Sequence, residues 1–161
     1  MSQKPEILAL QQTYASCRGH AQILGEALAD LQLRNLQIQD ISHLSKEDRR
    51  ILDQFAYRYT RLQDDIGARL LPAILRAMEE DIATMSVADR LNRLEQLGWL
   101  PSADEWSDLR RIRNEFPHDY PDTVAERFAR LQMALNASQR ALEILEALSR
   151  KIEQHFPDLT A

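Results

Sequence analysis

The sequence predicts an all-α protein, an up-and-down bundle of long antiparallel helices with shorter ones between them. Three observations carry this. Apolar residues recur in alternating steps of three and four over long stretches, and no stretch alternates with period two or offers a hairpin turn. Only 4 glycines and 6 prolines occur in 161 residues, too few for a barrel or sandwich that turns about every ten residues. The chain is 44% hydrophobic and 28% charged, which suits one helical core of ordinary size and neither disorder nor a second full domain.

Residues 4–33 open with Pro5 in the first turn, where its missing N–H costs nothing. The stripe beyond it is Ile7, Leu10, Tyr14, Cys17, Ala21, Leu24, Leu28 and Leu31, one buried face of a helix of roughly 40 Å at 1.5 Å per residue. Residues 35–44 are of mixed polarity and read as a connection. Ser45 with Asp48 resembles a capping box and starts a second long helix with the stripe Leu52, Phe55, Tyr59, Leu62, Ile66, Leu70 and Ala73. Pro72 should kink or end it near Leu71, since proline lacks a donor and its ring crowds the preceding turn. The helical pattern then resumes to about Thr84. Ser86 caps a short helix ending at Gly98, and Ser102 with Glu105 forms an S-x-x-E box that begins another. After Pro117 and Pro121, residues 122–155 form the last long helix, on Val124, Phe128, Leu131, Leu135, Ser138, Leu142, Leu145, Ser149 and Ile152. One domain, 1–161, is expected, with residues 156–161 as a frayed tail.

Charge and composition exclude several functions. With 20 Lys+Arg against 25 Asp+Glu the net charge is −5, which disfavours broad nonspecific attraction to nucleic acid. Only three of the 20 cations are lysines, so arginine, the residue of bidentate carboxylate and phosphate contacts, dominates. No apolar run approaches the roughly 18 residues of a membrane span, and the N-terminal residues lack the pattern of a signal peptide. A cytoplasmic location without membrane association is expected. The single cysteine, Cys17, excludes an internal disulfide and reads as a small core residue. His20, His43 and His155 show no metal-ligand spacing, and neither a cofactor nor a metal is expected. Glu79, Glu80 and Asp81 read as a solvated acidic face. Trp99 and Trp106 read as wedges of the short helices against the bundle. Gly25 and Gly67, inside long helices, suggest close helix approach within the bundle or across a dimer seam.

The segment from Ser102 to Asp122 is not explained by packing alone. Its stripe is Trp106, Leu109 and Phe116, and position 113 completes the spacing, so Arg113 points with the apolar face while Arg110 and Arg111 flank it. A guanidinium directed at a packing surface is costly unless it is paired or the surface is a cleft that receives an anion. Five residues later comes His118, held between two prolines and followed by Tyr120. A permanent cation beside a titratable ring fits metal-free phosphodiester chemistry: His for the proton of a ribose 2′-hydroxyl or leaving group, Arg for charge on the phosphorus oxygens. The structural alternative is that Arg113 pairs with Asp53, Asp64 or Asp65, and that His118 only caps a helix end.

Residues 113–120, Arg-Asn-Glu-Phe-Pro-His-Asp-Tyr, resemble the R-x4-H-x-Y signature of the HepT-like toxins in the HEPN superfamily. The position before a long final helix, the size, and the run from Phe55 to Gly67 (Phe-Ala-Tyr-Arg-Tyr-Thr-Arg-Leu-Gln-Asp-Asp-Ile-Gly), similar to a helix in proteins encoded beside minimal nucleotidyltransferases, extend the likeness over most of the chain. The resemblance implies a HEPN-like helical homodimer with two such motifs facing each other, a metal-independent endoribonuclease cutting RNA as a toxin. Arg113 and His118 would be the catalytic pair, with Asn114 matching the polar residue that orients the site. Tyr120 would be the tyrosine that a nucleotidyltransferase antitoxin adenylylates, placing a bulky anion beside the cleft. Pro117, directly before His118, departs from the pattern and bears on the placement of His118. The alternative function is a non-catalytic helical subunit that binds a nucleotide or a substrate for a nucleotidyltransferase, with Arg113 holding phosphate.

Overall fold

The computed structural model describes residues 4–116 and 123–160. It is an all-α bundle, and no strand occurs among the described residues. Six α-helices follow one another: α1 (Pro5–Arg34), α2 (Lys46–Asp65), α3 (Leu71–Ala77), α4 (Val87–Gln96), α5 (Ala103–Glu115) and α6 (Val124–His155). No described helix is long and apolar enough to cross a membrane.

The long helices α1 and α2 form a hairpin, closed at its turn by Arg34, which pairs with Glu47 at 2.7 Å and Asp48 at 3.3 Å. The connection is a 3-10 helix, Ile38–His43, begun by a reciprocal capping box between Gln37 and Asp40. The α1 face is Leu10, Tyr14, Cys17, His20, Leu24, Ala27 and Leu31. It matches the sequence stripe except that His20 and Ala27 take the fully inward places expected of Ala21 and Leu28, which are half-buried. Of the second expected stripe, Phe55, Tyr59 and Leu62 on α2 and Ile66, Leu70 and Ala73 beyond it are buried, while Leu52 is half-buried.

The chain does not leave the helix near Leu71, as Pro72 lies inside a continuous helical run. A π-helical turn, Ile66–Leu70, precedes α3, with the Leu71 N–H reaching the Ile66 carbonyl five residues back. The widened turn accommodates the proline ring and its missing donor. Helix α3 is short and buried on every side, Leu71, Pro72, Ala73, Ile74 and Leu75 alike, and packs against α1 and α4.

The helical pattern stops at Ala77 and does not run on to Thr84. Glu79 adopts left-handed backbone, φ 63°, the Glu80 N–H bonds to the Leu75 carbonyl and the Glu79 N–H to that of Arg76. This is a Schellman stop without its usual glycine. Glu79 and Glu80 therefore sit in a turn, paired with Lys4 and Arg93 respectively, so the acidic run is only in part a free solvated face.

Ser86 and Asp89 cap α4 reciprocally, and Gly98, φ 79°, closes it with a second Schellman stop, Trp99 N–H to Leu94 carbonyl at 2.8 Å. Ser102 caps α5 by accepting from the Glu105 N–H, but the Glu105 carboxylate turns away to a bidentate bond with Arg140 of α6, so only half of the expected box forms. Trp99 and Trp106 are buried, as wedges should be. A Cβ on Gly67 would lie 3.4 Å from Trp106 Nε1, a close approach of the kind expected there, whereas Gly25 has no neighbour within 4 Å of such an atom in the chain.

Helix α6, capped by Thr123, buries Leu131, Ala134, Ala137, Ser138, Ala141, Ile144, Leu145, Leu148 and Ile152. Leu131, Ser138, Leu145 and Ile152 of the stripe read from the sequence are buried, while Leu135, Leu142 and Ser149 are half-buried and Ala134, Ala137 and Ala141 complete the seam. The tail does not fray after Phe156: Pro157–Thr160 is a 3-10 helix with Leu159 buried, its carbonyl accepting from Gln11 Nε2 of α1 at 3.1 Å.

Candidate functional site

Arg113 occupies the last turn of α5 and reaches across to α2. Its guanidinium Nε donates to Asp64 Oδ1 and its Nη2 to Asp64 Oδ2, both at 2.7 Å. Of the three carboxylates weighed as partners, Asp64 is the one the fold brings forward. The arginine side chain is 20% exposed and the aspartate 52%, so the pair stands at the lip of the core. Two of the three guanidinium nitrogens are committed to the carboxylate, and Nη1 makes no hydrogen bond among the described residues.

Aromatic packing sets the level of this lip. Phe116, at the C-cap of α5, meets Tyr59 edge-on at 5.6 Å and Phe55 at 5.9 Å, and those two rings stack on each other. The next residues are Pro117 and His118. His118 and Tyr120 lie outside the described residues, so of the four sequence-derived site residues the structure places Arg113 and Asn114. Tyr59 is a buried neighbour of the pair; burial pushes its hydroxyl up to about 12 against the opposing pull of Arg113, and it stays neutral at any ordinary pH.

Asn114 is exposed and faces a cleft of about 500 Å³ between the α2 end, the π turn, α3, α4 and α5. Asp64 and Arg110 also line it. Nothing in the sequence pattern marks Gln63 or Arg90, yet both line the same cleft. Gln63 is only 2% exposed, and neither its amide nitrogen nor its amide oxygen has a partner among the described residues. A larger groove, about 860 Å³, lies between the start of α1, the end of α3 and the C-terminal 3-10 helix, and includes none of Arg113, Asn114 or Asp64.

A second polar cluster is buried between α1 and α2. His20 lies between Arg58, whose Nη1 is 2.9 Å from His20 Nδ1, and Asp65, whose Oδ2 is 3.5 Å from His20 Nε2. Arginine can only donate, so Nδ1 accepts and the ring proton sits on Nε2, facing the carboxylate. Cys17, one turn earlier on α1, is fully buried, and burial with the nearby Asp65 charge pushes its thiol up to about 12. It is a core residue and not a nucleophile. Among the described residues no group of three or more His, Cys, Asp or Glu is placed to hold a metal.

Comparison with known proteins gives no matching family model, no matching curated protein and no matching solved structure.

Proposed function

We propose that the chain is a metal-independent endoribonuclease of the HepT-like kind, acting as a homodimeric toxin. The observation that carries this reading is Arg113: a guanidinium held by Asp64, which itself lines the cleft, with no hydrogen bond at Nη1 among the described residues, five residues before His118. In the proposed step His118 takes the proton of a ribose 2′-hydroxyl. The 2′-oxygen then bonds to phosphorus as the bond to the 5′-oxygen breaks. That oxygen leaves with a proton drawn from solvent, to which His118 then returns the one it took, and Arg113 stabilises charge on the non-bridging oxygens. Asn114 lines the approach. Adenylylation of Tyr120 by a nucleotidyltransferase antitoxin would add a fixed negative charge beside this site and repel RNA.

The bidentate Asp64 contact favours a second reading, since a carboxylate already fills much of the Arg113 fork. In that reading the protein is a non-catalytic subunit that binds a nucleotide or a substrate for a nucleotidyltransferase. Cleavage of a labelled RNA pool separates the two. Wild type should cut, Arg113→Ala and His118→Ala should lose on the order of 100-fold or more, as expected for general acid–base and oxyanion-stabilising groups, and Tyr120→Phe should cut but escape neutralisation by the nucleotidyltransferase. Equal activity in wild type and the first two variants defeats the ribonuclease reading.

A further inference from the structure

The outer side of α2 carries side chains that the proposed reaction leaves unused. At steps of three and four, Gln54, Tyr57, Arg61 and Asp64 share one helix face, and all four are exposed. Asp64 holds Arg113, so this face runs directly to the proposed catalytic arginine. Arg61 stands one turn before Asp64 and Tyr57 two turns before it, about 10 Å along the axis at 1.5 Å per residue.

Tyr57 is 54% exposed, the one tyrosine among the described residues that is not buried. Its ring is held by its neighbours. The Arg58 guanidinium carbon lies 5.1 Å from the ring centroid, and the His20 ring meets it at 77° with centroids 6.4 Å apart. Arg58 is itself fixed, since its Nη1 donates to His20 Nδ1 at 2.9 Å. An exposed ring with an anchored guanidinium against it has already lost much of the side-chain freedom that binding would otherwise remove.

Charge follows the same strip. The Arg61 side chain is 47% exposed, and its ion pair with the buried Asp65 carboxylate is long, 3.9 Å, with His20 Nε2 at 3.5 Å from the same oxygen. The Asp64 charge is matched by Arg113. The cationic stretch also has an end. Arg50 shares a groove with Glu26, Asp30 and Glu47, and Asp53 is exposed nearby on α2. The positive part of the face is therefore the two turns that lead from Tyr57 to Arg113.

An open ring flanked by two arginines and continuous with Arg113 fits one substrate class. We propose that Tyr57 with Arg58 is a base-stacking platform, and Arg61 a phosphate contact, for single-stranded RNA on its way to Arg113. The platform rests on the ribonuclease reading for its choice of RNA. Stacking on an aromatic ring or a guanidinium plane tolerates any base, because every base has a π face, and an arginine on phosphate reads only the backbone. The strip thus supplies affinity and register with little sequence preference.

The test uses the full chain carrying His118→Ala, which should bind without cutting, and short labelled oligoribonucleotides of A, C or U followed by fluorescence anisotropy. This protein should bind all three. Adding Tyr57→Ala should weaken each about tenfold, the size of one lost stack, while Tyr57→Phe should stay close to the parent. Adding Arg61→Ala should weaken binding and lower the slope of log affinity against log salt by about 0.7, the share of one phosphate on a single strand. Tyr57→Ala should leave that slope unchanged. With His118 present, Tyr57→Ala should raise KM for RNA and leave kcat as it is. Unchanged affinity in the Tyr57→Ala protein, or equal losses in Tyr57→Ala and Tyr57→Phe, overturns the platform. A Tyr57→Ala protein that binds RNA as before but escapes the nucleotidyltransferase antitoxin also overturns it, and makes the face a protein-docking surface. If wild type cuts RNA and Tyr57→Ala cuts equally well at low RNA concentration, the platform fails and the ribonuclease reading stands. If binding depends on Tyr57 but wild type never cuts, the ribonuclease reading fails and the platform stands.

Discussion

His20 shows how strongly one side chain depends on its surroundings. Burial lowers its pKa below the ordinary 6.5, Arg58 and Arg61 push the same way, and Asp65 opposes them. Cys17 from the same helix stays protonated, and Arg69 of the π turn faces the same Asp65 neighbourhood. With the folded value below the unfolded one, the unfolded chain takes up the proton first as pH falls. The stabilising contribution is therefore complete above about pH 6.5 and is lost as pH drops through 6.5 toward the folded value. Thermal melts from pH 8 to pH 5 should show this decline, and His20→Gln should flatten that part of the profile even though it is less stable overall. An unchanged pH slope in the variant would remove His20 as its source. At this scale the sequence is informative about direction and poor about partners. Arg113 could be read as inward-facing from its spacing, but the choice of Asp64 over Asp53 and Asp65 depends on how α2 and α5 cross, and spacing does not contain that angle. Gln63 escaped notice because a glutamine on an amphipathic helix ordinarily faces water, whereas here it is buried.

At the scale of elements the long helices were legible because each buries one face at helical spacing, and the caps were legible where one side chain makes the bond. Ser45, Ser86 and Ser102, read as caps from the sequence, accept from the N–H three residues on, as does Thr123, which the reading did not single out. Stops were harder. The end of α4 carries Gly98 and could be seen, whereas the end of α3 places Glu79 in the left-handed region and gives no signal in the sequence. The two glycine classes make opposite predictions. Gly98→Ala should destabilise by about 1 kcal/mol, because φ 79° strains any residue with a Cβ, while the contact with the flexible Lys151 Nζ at 2.9 Å is relieved by moving that side chain. Gly25→Ala, in a helix interior with open space at the new methyl, should stabilise by about 0.5–1 kcal/mol. Urea titrations of both variants check the signs; a destabilised Gly25→Ala protein would mean that this face of α1 is covered in solution. The α6 seam was read only in part for a related reason: alanines carry little weight in a hydrophobic pattern, yet Ala134, Ala137 and Ala141 are buried beside the expected Leu131, Ser138, Leu145 and Ile152.

For the whole molecule the all-α bundle was legible in the sequence, and the tail was not, because the burial of Leu159 depends on α1, roughly 150 residues away in sequence. The proposed composite site requires two chains. Light scattering at concentrations where RNA is cut should therefore give twice the 18.6 kDa chain mass; a single-chain mass there would rule out a shared site. The π turn at Ile66–Leu70 also has a consequence for the molecule as a whole. One extra residue in a helical turn is a phase shift of about 100° between the helix on its N-terminal side and the helix on its C-terminal side. A helical wheel started at Lys46 runs true through Gln63 and Asp64 but is out of step by Leu71 and Pro72, which line the same cleft. The cleft is thus the place where two helical phases meet, and its walls can be read together only when the chain is counted in two frames.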